Sequence, residues 1–192
     1  MTRVRRAPLR AVLAAAALLC AMAAACFWGL RHYYRSAYPI RYSEYVEKYA
    51  AEYGVAPAFV YAMIKTESDF NPNAVSVNDA CGLMQLLPDT LDWLQRLTPE
   101  DDHYTRADLF DPEVNIRYGV YFVHILFDEF HDPETVAAAY HAGINGVKKW
   151  LQNPDYSSDG VHLDRIPYAD TAQYAERIVR YLHLYQKLYH LE

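Results

Sequence analysis

The sequence predicts a mainly α-helical domain preceded by one helix long enough to cross a membrane, and three observations carry that prediction. Ala11 to Leu30 are twenty residues without a charge, and about 20 apolar residues suffice for a helix to span a bilayer core. Beyond residue 42, apolar residues recur at three- and four-residue spacing in one segment after another. No alternating stretch of strand length interrupts them. With 192 residues there is room for one domain, placed at 43–192, and an appendage, and 53% apolar content suits a packed core.

The appendage is read first. Arg3, Arg5, Arg6 and Arg10 form a basic segment at 1–10 that stays cytoplasmic under the positive-inside rule, so the chain beyond the 11–30 anchor is exported. The apolar stretch exceeds the ~7 to 15 residues of a signal-peptide core, which favours an uncut anchor. A signal cleaved among the small residues Ala21 to Ala25, or a lipoprotein signal ending at Cys26, is the alternative. Residues 31–42 are expected to be a juxtamembrane linker.

Helices are expected in order after that. One starts at Ser43, carries the stripe Val46, Tyr49, Ala50 and Tyr53, and stops at Gly54. Pro57 opens the next, which runs to Glu67. Asp89 and Thr90 are expected to cap a helix through Leu97, followed by a polar connection from Thr98. Asp111 with Pro112 starts a helix of about 19 residues whose stripe is Ile116, Val120, Val123, Phe127 and Phe130. Asp132 with Pro133 starts another, closed by Gly143, and Asn145 to Gln152 form a short helix. The loop from Asn153 is expected to border a cleft. The last helix runs from near Asp170 to about His190, with Tyr174, Ile178, Tyr181, Tyr185 and Leu188 on one face.

Composition narrows the function classes. Six Arg and no acid precede Tyr38, so the rest of the chain carries 12 basic residues against 24 acidic ones, a net of −12. Such a domain is repelled by nucleic acid and by anionic headgroups. Cys20 and Cys26 lie in the apolar segment and Cys81 stands alone beyond it, which leaves no disulfide within the domain and reads best as a small buried thiol. No H-E-x-x-H or comparable ligand pair, phosphate loop or G-x-S-x-G elbow occurs, so neither a metal, a cofactor nor a serine nucleophile is expected.

The chemistry points to Glu67. Val60, Met63 and Ile64 fall on the apolar stripe of its helix, and Glu67 takes the next slot on that stripe. A carboxyl held against apolar side chains loses hydration in its charged form, so its pKa rises and it can hold the proton a general acid needs. The following S-D-F-N-P-N-A-V-S-V-N is an ordered loop of turn formers, and D-A-C-G-L-M-Q-L-L-P then joins Gly82, for close backbone approach, to Gln85, for amide or hydroxyl recognition.

T-E-S-D-F-N-P-N-A-V-S from Thr66 and G-L-M-Q-L-L-P-D-T from Gly82 resemble the signature of the soluble lytic transglycosylase catalytic domain, which is related in fold to goose-type lysozyme. N-I-R-Y-G-V-Y-F at Asn115, A-Y-H-A-G at Ala139 and I-P-Y-A-D-T-A-Q-Y at Ile166 resemble its central helix, cleft motif and closing segment. The family usually has Asn at the position of His141, and more often Glu at that of Asp170. The resemblance implies a lysozyme-like helical domain with a catalytic cleft and, where the cleft forms, a small irregular hairpin. It places Ser76 and Gln85 near the sugar, Met84 and Tyr140 as walls, Tyr174 in the sugar site and His141 in the cleft motif. Met84 and Tyr174 also fit as core, Ser76 as a loop-stabilising hydroxyl, and His141 as a structural histidine.

Glycoside cleavage ordinarily takes two carboxyl groups. Asp69, turned roughly 200° from Glu67 in helical geometry, and Asp79 are the second candidates. If neither reaches the site, Glu67 serves first as acid and then as base. The resemblance implies that route: cleavage of the β-1,4 bond between N-acetylmuramic acid and N-acetylglucosamine in peptidoglycan strands, leaving a 1,6-anhydro end; the apolar segment adds that the enzyme is tethered to the membrane. A lysozyme-type hydrolase and a non-catalytic glycan-binding envelope module are the competing readings.

Overall fold

The computed structural model describes residues 9–98, 101 and 103–191, and the chain divides into two units, Met1–Pro39 and Ile40–Glu192. The first unit contains one 29-residue helix, α1 (Leu9–Ala37), with no buried residue. Its most apolar 18-residue window has a mean hydropathy of 2.3, so by length and composition it can cross a membrane. At 1.5 Å per residue it reaches about 43 Å, beyond the ~30 Å hydrocarbon core. The surplus carries Tyr33 and Tyr34, exposed just after Phe27 and Trp28, the residue types enriched where a helix leaves the bilayer. The segment 31–37, expected to be linker, is therefore helix. Nothing before Pro39 breaks the pattern, and the residue preceding a proline is driven out of helical geometry. Most of the expected cytoplasmic segment, residues 1–8, lies outside the described residues.

The second unit is helical, and among its described residues no strand occurs. It is built from α2 (Ser43–Tyr53), α3 (Pro57–Glu67), α4 (Pro88–Gln95), a 3-10 turn (Arg106–Phe110), α5 (Pro112–Phe130), α6 (Pro133–Ala142), α7 (Ile144–Leu151) and α8 (Ala169–Tyr189). α5 packs against α2, α4, α6 and the 3-10 turn, while α3 lies between α2 and α8. Asp111 and Asp132 cap α5 and α6 as expected, each side chain accepting from two backbone N–H groups of the first turn. α4 differs from expectation. It begins with Pro88 at its first position, with no side-chain cap, and ends at Gln95 rather than Leu97. A proline there has no N–H to leave orphaned, so capping by Asp89 or Thr90 is unnecessary. Sequence patterning does not foresee the 3-10 turn, and the polar connection expected before it includes Pro99, Glu100 and Asp102, which are not described.

α3 also corrects the simple stripe. Every residue from Ala58 to Ile64 is buried, so the helix is enclosed on all sides and periodicity alone understates its burial. It stops after Glu67 because Asp69 (φ 50°) and Phe70 (φ 63°) both turn left-handed. That conformation is costly for a bulky side chain, and here Phe70 is held in it by burial at 2% exposure. The loop beyond Phe70 is pinned by two isolated antiparallel bridges, Val75 with Cys81 and Cys81 with Leu86, which form the small irregular hairpin that the family resemblance implies. Cys81 itself lies in a core cluster with Leu86, Leu91, Leu94 and Leu109, and burial pushes its thiol pKa up, opposite to what a nucleophile requires.

Candidate active site

Glu67, at the C-terminal end of α3, opens onto a pocket of about 250 Å³ lined also by Ser76, Asn78, Ala80, Gln85, Leu87, Tyr140 and His141. Three pieces of chain meet there: the end of α3, the 76–87 hairpin and the end of α6. Glu67 is the single carboxylic acid among these lining residues. Part of its surface faces the pocket, but its carboxyl is packed closely enough that loss of hydration lifts its pKa from 4.5 to about 7. A hydrogen bond donated by the Tyr174 hydroxyl to Glu67 Oε1 pulls the other way and only partly offsets the burial.

Neither alternative carboxylate enters the pocket. Asp69 is exposed and pairs with Lys65 one turn back on α3. Asp79 accepts from Arg106 Nε at 3.0 Å on both oxygens and from Nη2 at 2.6 Å, and this guanidinium holds its pKa below the usual carboxylate range.

The other expected residues separate by position. Tyr140 lines the pocket, donates to the Met84 carbonyl at 2.7 Å and packs against Phe122 with ring centroids 5.0 Å apart. Burial and the neighbouring Glu67 raise its phenol pKa, so it remains a donor. Gln85, itself at φ 50°, donates Nε2 to the carbonyls of Ala74 and Gly82 at 3.1 and 2.9 Å. Its amide oxygen has no partner among the described residues. Ser76 accepts from the N–H groups of Asn78 and Ala80 at 3.2 and 3.1 Å, so it both holds the hairpin and faces the pocket. His141 is exposed at the pocket edge, with Nδ1 3.1 Å from Thr171 Oγ1 and its ring 4.7 Å from that of Tyr174. Tyr174 is buried behind the pocket, its hydroxyl also 3.8 Å from the Met63 sulfur.

Met84 is placed differently from a cleft wall. It is fully buried and its side chain fills the space beside Gly119, where any Cβ would collide with it. The loop from Asn153 likewise does not reach this pocket; its Gly160 and Val161 border a separate cavity with Glu129, Phe130 and Lys148.

One organising residue was not recognised in the sequence. Asn115, fully buried in the first turn of α5, accepts from the Met84 N–H at 2.7 Å and donates to the carbonyls of Cys81 and Leu109 at 2.9 and 2.8 Å. It fixes the Gly82–Gln85 backbone, and a Cβ at Gly82, whose φ is 80°, would overlap Asn115 and the Leu109 carbonyl. The signal was present. Asn115 shares a helical face with Tyr118 and Gly119, a polar residue on a buried face, as Glu67 is on α3. Ser68 completes the frame by donating to the Leu83 carbonyl at 2.8 Å.

Comparison with known proteins places this arrangement. Residues 44–161 match the family described as the transglycosylase SLT domain. The chain is 28% identical over 146 residues to the soluble lytic murein transglycosylase of Salmonella typhimurium, covering 75% of this chain and 23% of that one. It is 34% identical over 136 residues to membrane-bound lytic murein transglycosylase C of Actinobacillus pleuropneumoniae, covering 66% of this chain and 36% of that one. The fold is similar to the 70 kDa soluble lytic transglycosylase of Escherichia coli, with a TM-score of 0.71 at 24% identity over 80% of this chain and 25% of that one. The chain thus spans about a quarter to a third of the length of these relatives. The family match ends before α8, so Tyr174 and Thr171 are joined to the site by the fold rather than by that match. With the match covering well over half of the chain, and the lysozyme-like helical fold around it, the protein belongs to the transglycosylase SLT domain family.

Proposed function

We propose that this protein is a membrane-anchored peptidoglycan lytic transglycosylase that cleaves the β-1,4 bond between N-acetylmuramic acid and N-acetylglucosamine. Protonated Glu67 gives its proton to the glycosidic oxygen as the bond to the anomeric carbon breaks. The carboxylate then takes the proton of the same sugar's 6-hydroxyl as that oxygen bonds to the anomeric carbon, which closes a 1,6-anhydro ring and consumes no water. Glu67 ends as it began, protonated. Ser76, Gln85, Tyr140 and His141 are the contacts for the sugar, Tyr174 fixes the acid, and Met84 shapes the hairpin from within the core. α1 tethers the domain on the extracytoplasmic side.

The observation that supports this most directly is a pocket with one carboxylic acid whose pKa stands near neutrality. A pair of carboxylates would favour hydrolysis or a covalent intermediate, whereas one acid suits a reaction in which a single residue serves twice. The test is digestion of purified glycan strands by the detergent-solubilised chain, with mass spectrometry of the ends. Anhydro ends, lost in Glu67→Gln, are expected. Reducing ends alone would replace this reading with a hydrolase, and full cleavage by Glu67→Gln would remove Glu67 from the chemistry.

A further inference from the structure

His141 is the pocket residue whose chemistry the proposed reaction leaves unused. Its exposed ring closes the side of the pocket formed by the end of α6, and two contacts fix its orientation. The face of the imidazole lies on Tyr174 at 4.7 Å between centroids, tilted by 31°. Its edge is tied through Nδ1 to Thr171 Oγ1 at 3.1 Å, in the first turn of α8.

The tautomer is set by Thr171. That residue is 3% exposed, and among the described residues the ring nitrogen of His141 is the partner of its hydroxyl. If Nδ1 carried the imidazole proton, it would donate to Thr171 and leave a buried hydroxyl proton without an acceptor. If Nδ1 is bare, the hydroxyl donates to it and only oxygen lone pairs are left unused, which is the cheaper arrangement. The proton of the neutral ring is then on Nε2, the nitrogen left for the pocket.

We propose that His141 is a specificity-determining donor: held by Thr171 and Tyr174, it presents Nε2–H to the carbonyl oxygen of a substrate N-acetyl group beside Glu67. An uncharged acceptor is favoured because no Lys or Arg is among the described residues that line the pocket, and the chain beyond residue 37 is net negative. An amide carbonyl is the strongest neutral acceptor that an N-acetylated glycan offers. Thr171 is buried and is not among the residues lining the pocket, so it acts as a positioning residue. This inference rests on the reading of the pocket as a glycan site.

The first test needs no turnover. Nitrogen-15 NMR of the histidine-labelled full chain in detergent, at a pH where the ring is neutral, is expected to show His141 as the Nε2–H tautomer. In Glu67→Gln, its Nε2 resonance is expected to shift with N-acetylglucosamine oligomers and not with glucosamine oligomers. The Nδ1–H tautomer, or equal shifts with both oligomers, would overturn the proposal. The second test is kinetic, on glycan strands before and after de-N-acetylation. His141→Ala is expected to lower kcat/KM about tenfold on the acetylated strand and little on the other. His141→Asn, which restores an N–H donor, is expected to recover most of the loss. Equal loss on both strands, or no loss, rejects the assignment. Should Glu67→Gln cleave normally, the proposed reaction fails while the tautomer and oligomer results stand or fall separately.

Discussion

Glu67 holds its proton because folding strips water from its carboxyl at a cost that Tyr174 only partly offsets, and two consequences can be measured. The Tyr174 hydroxyl stabilises the carboxylate, so Tyr174→Phe should raise the Glu67 pKa further. As an acid, Glu67 acts while protonated, and kcat/KM is expected to fall as pH rises through about 7. In Tyr174→Phe that alkaline limb moves to higher pH, and a pH–rate profile that stays put or moves down contradicts the assignment. The second consequence concerns stability. A carboxyl whose pKa is raised by folding binds its proton more tightly folded than unfolded. Its contribution is therefore full below 4.5 and disappears as pH climbs through about 7. The amount at stake is on the order of 3 kcal/mol. Glu67→Gln, which stays neutral, should melt above the parent at pH 8 and together with it near pH 4.5. Thermal melts at the two pH values check this, and an offset independent of pH would show that desolvation is not the cause. Periodicity revealed that position 67 joins a buried face. Helical geometry turned Asp69 away from Glu67, but nothing local could place Asp79, whose direction depends on a left-handed turn and on Arg106 as partner.

The hairpin between α3 and α4 is an element whose shape is set from outside itself. Its backbone groups turn to Asn115 on α5, Tyr140 on α6 and Ser68 at the end of α3. Asn115→Ala would leave the Met84 N–H and the Leu109 carbonyl without partners in a fully buried space, and the Cys81 carbonyl with the Leu86 N–H alone, at a cost of about 3 kcal/mol. Urea unfolding of the chain should show this loss, accompanied by a fall in activity because Gln85 and the 76–80 turn lose their footing. Stability within about 0.5 kcal/mol of the parent would mean that the clamp is dispensable. The turn residues and Gly82 were legible as an ordered loop with close backbone approach. The identity of what approaches was not, because Asn115 lies 31 residues from its Met84 partner. Met84 fits wall and core equally in the sequence for the same reason: a Met after a Gly in a loop carries no period, and only Gly119 across the gap decides which way it packs. Capping at α5 and α6 was readable because Asp followed by Pro acts locally, whereas at α4 the proline supplied the start by itself.

At the scale of the whole molecule, an apolar helix and an acidic helical domain occupy separate units of one chain. If α1 is an uncut anchor, the chain should stay with the membrane pellet through high-salt and carbonate washes. External protease on spheroplasts should remove the domain and leave a small protected fragment. Release by salt would show peripheral attachment, and a shortened or lipid-modified amino terminus would show a processed signal. By itself the sequence determined what depends on neighbours along the chain: the long apolar helix, the helix starts at Pro and Asp-Pro, the stops at Gly54 and Gly143, and the family motifs around Glu67. Only the tertiary structure decided that one carboxyl stands in the pocket, that Tyr174 backs it and that Asn115 and Thr171 hold its surroundings. Those facts rest on contacts between residues 30 to 107 positions apart, and such contacts exist only once burial has drawn α3, α5, α6 and α8 together.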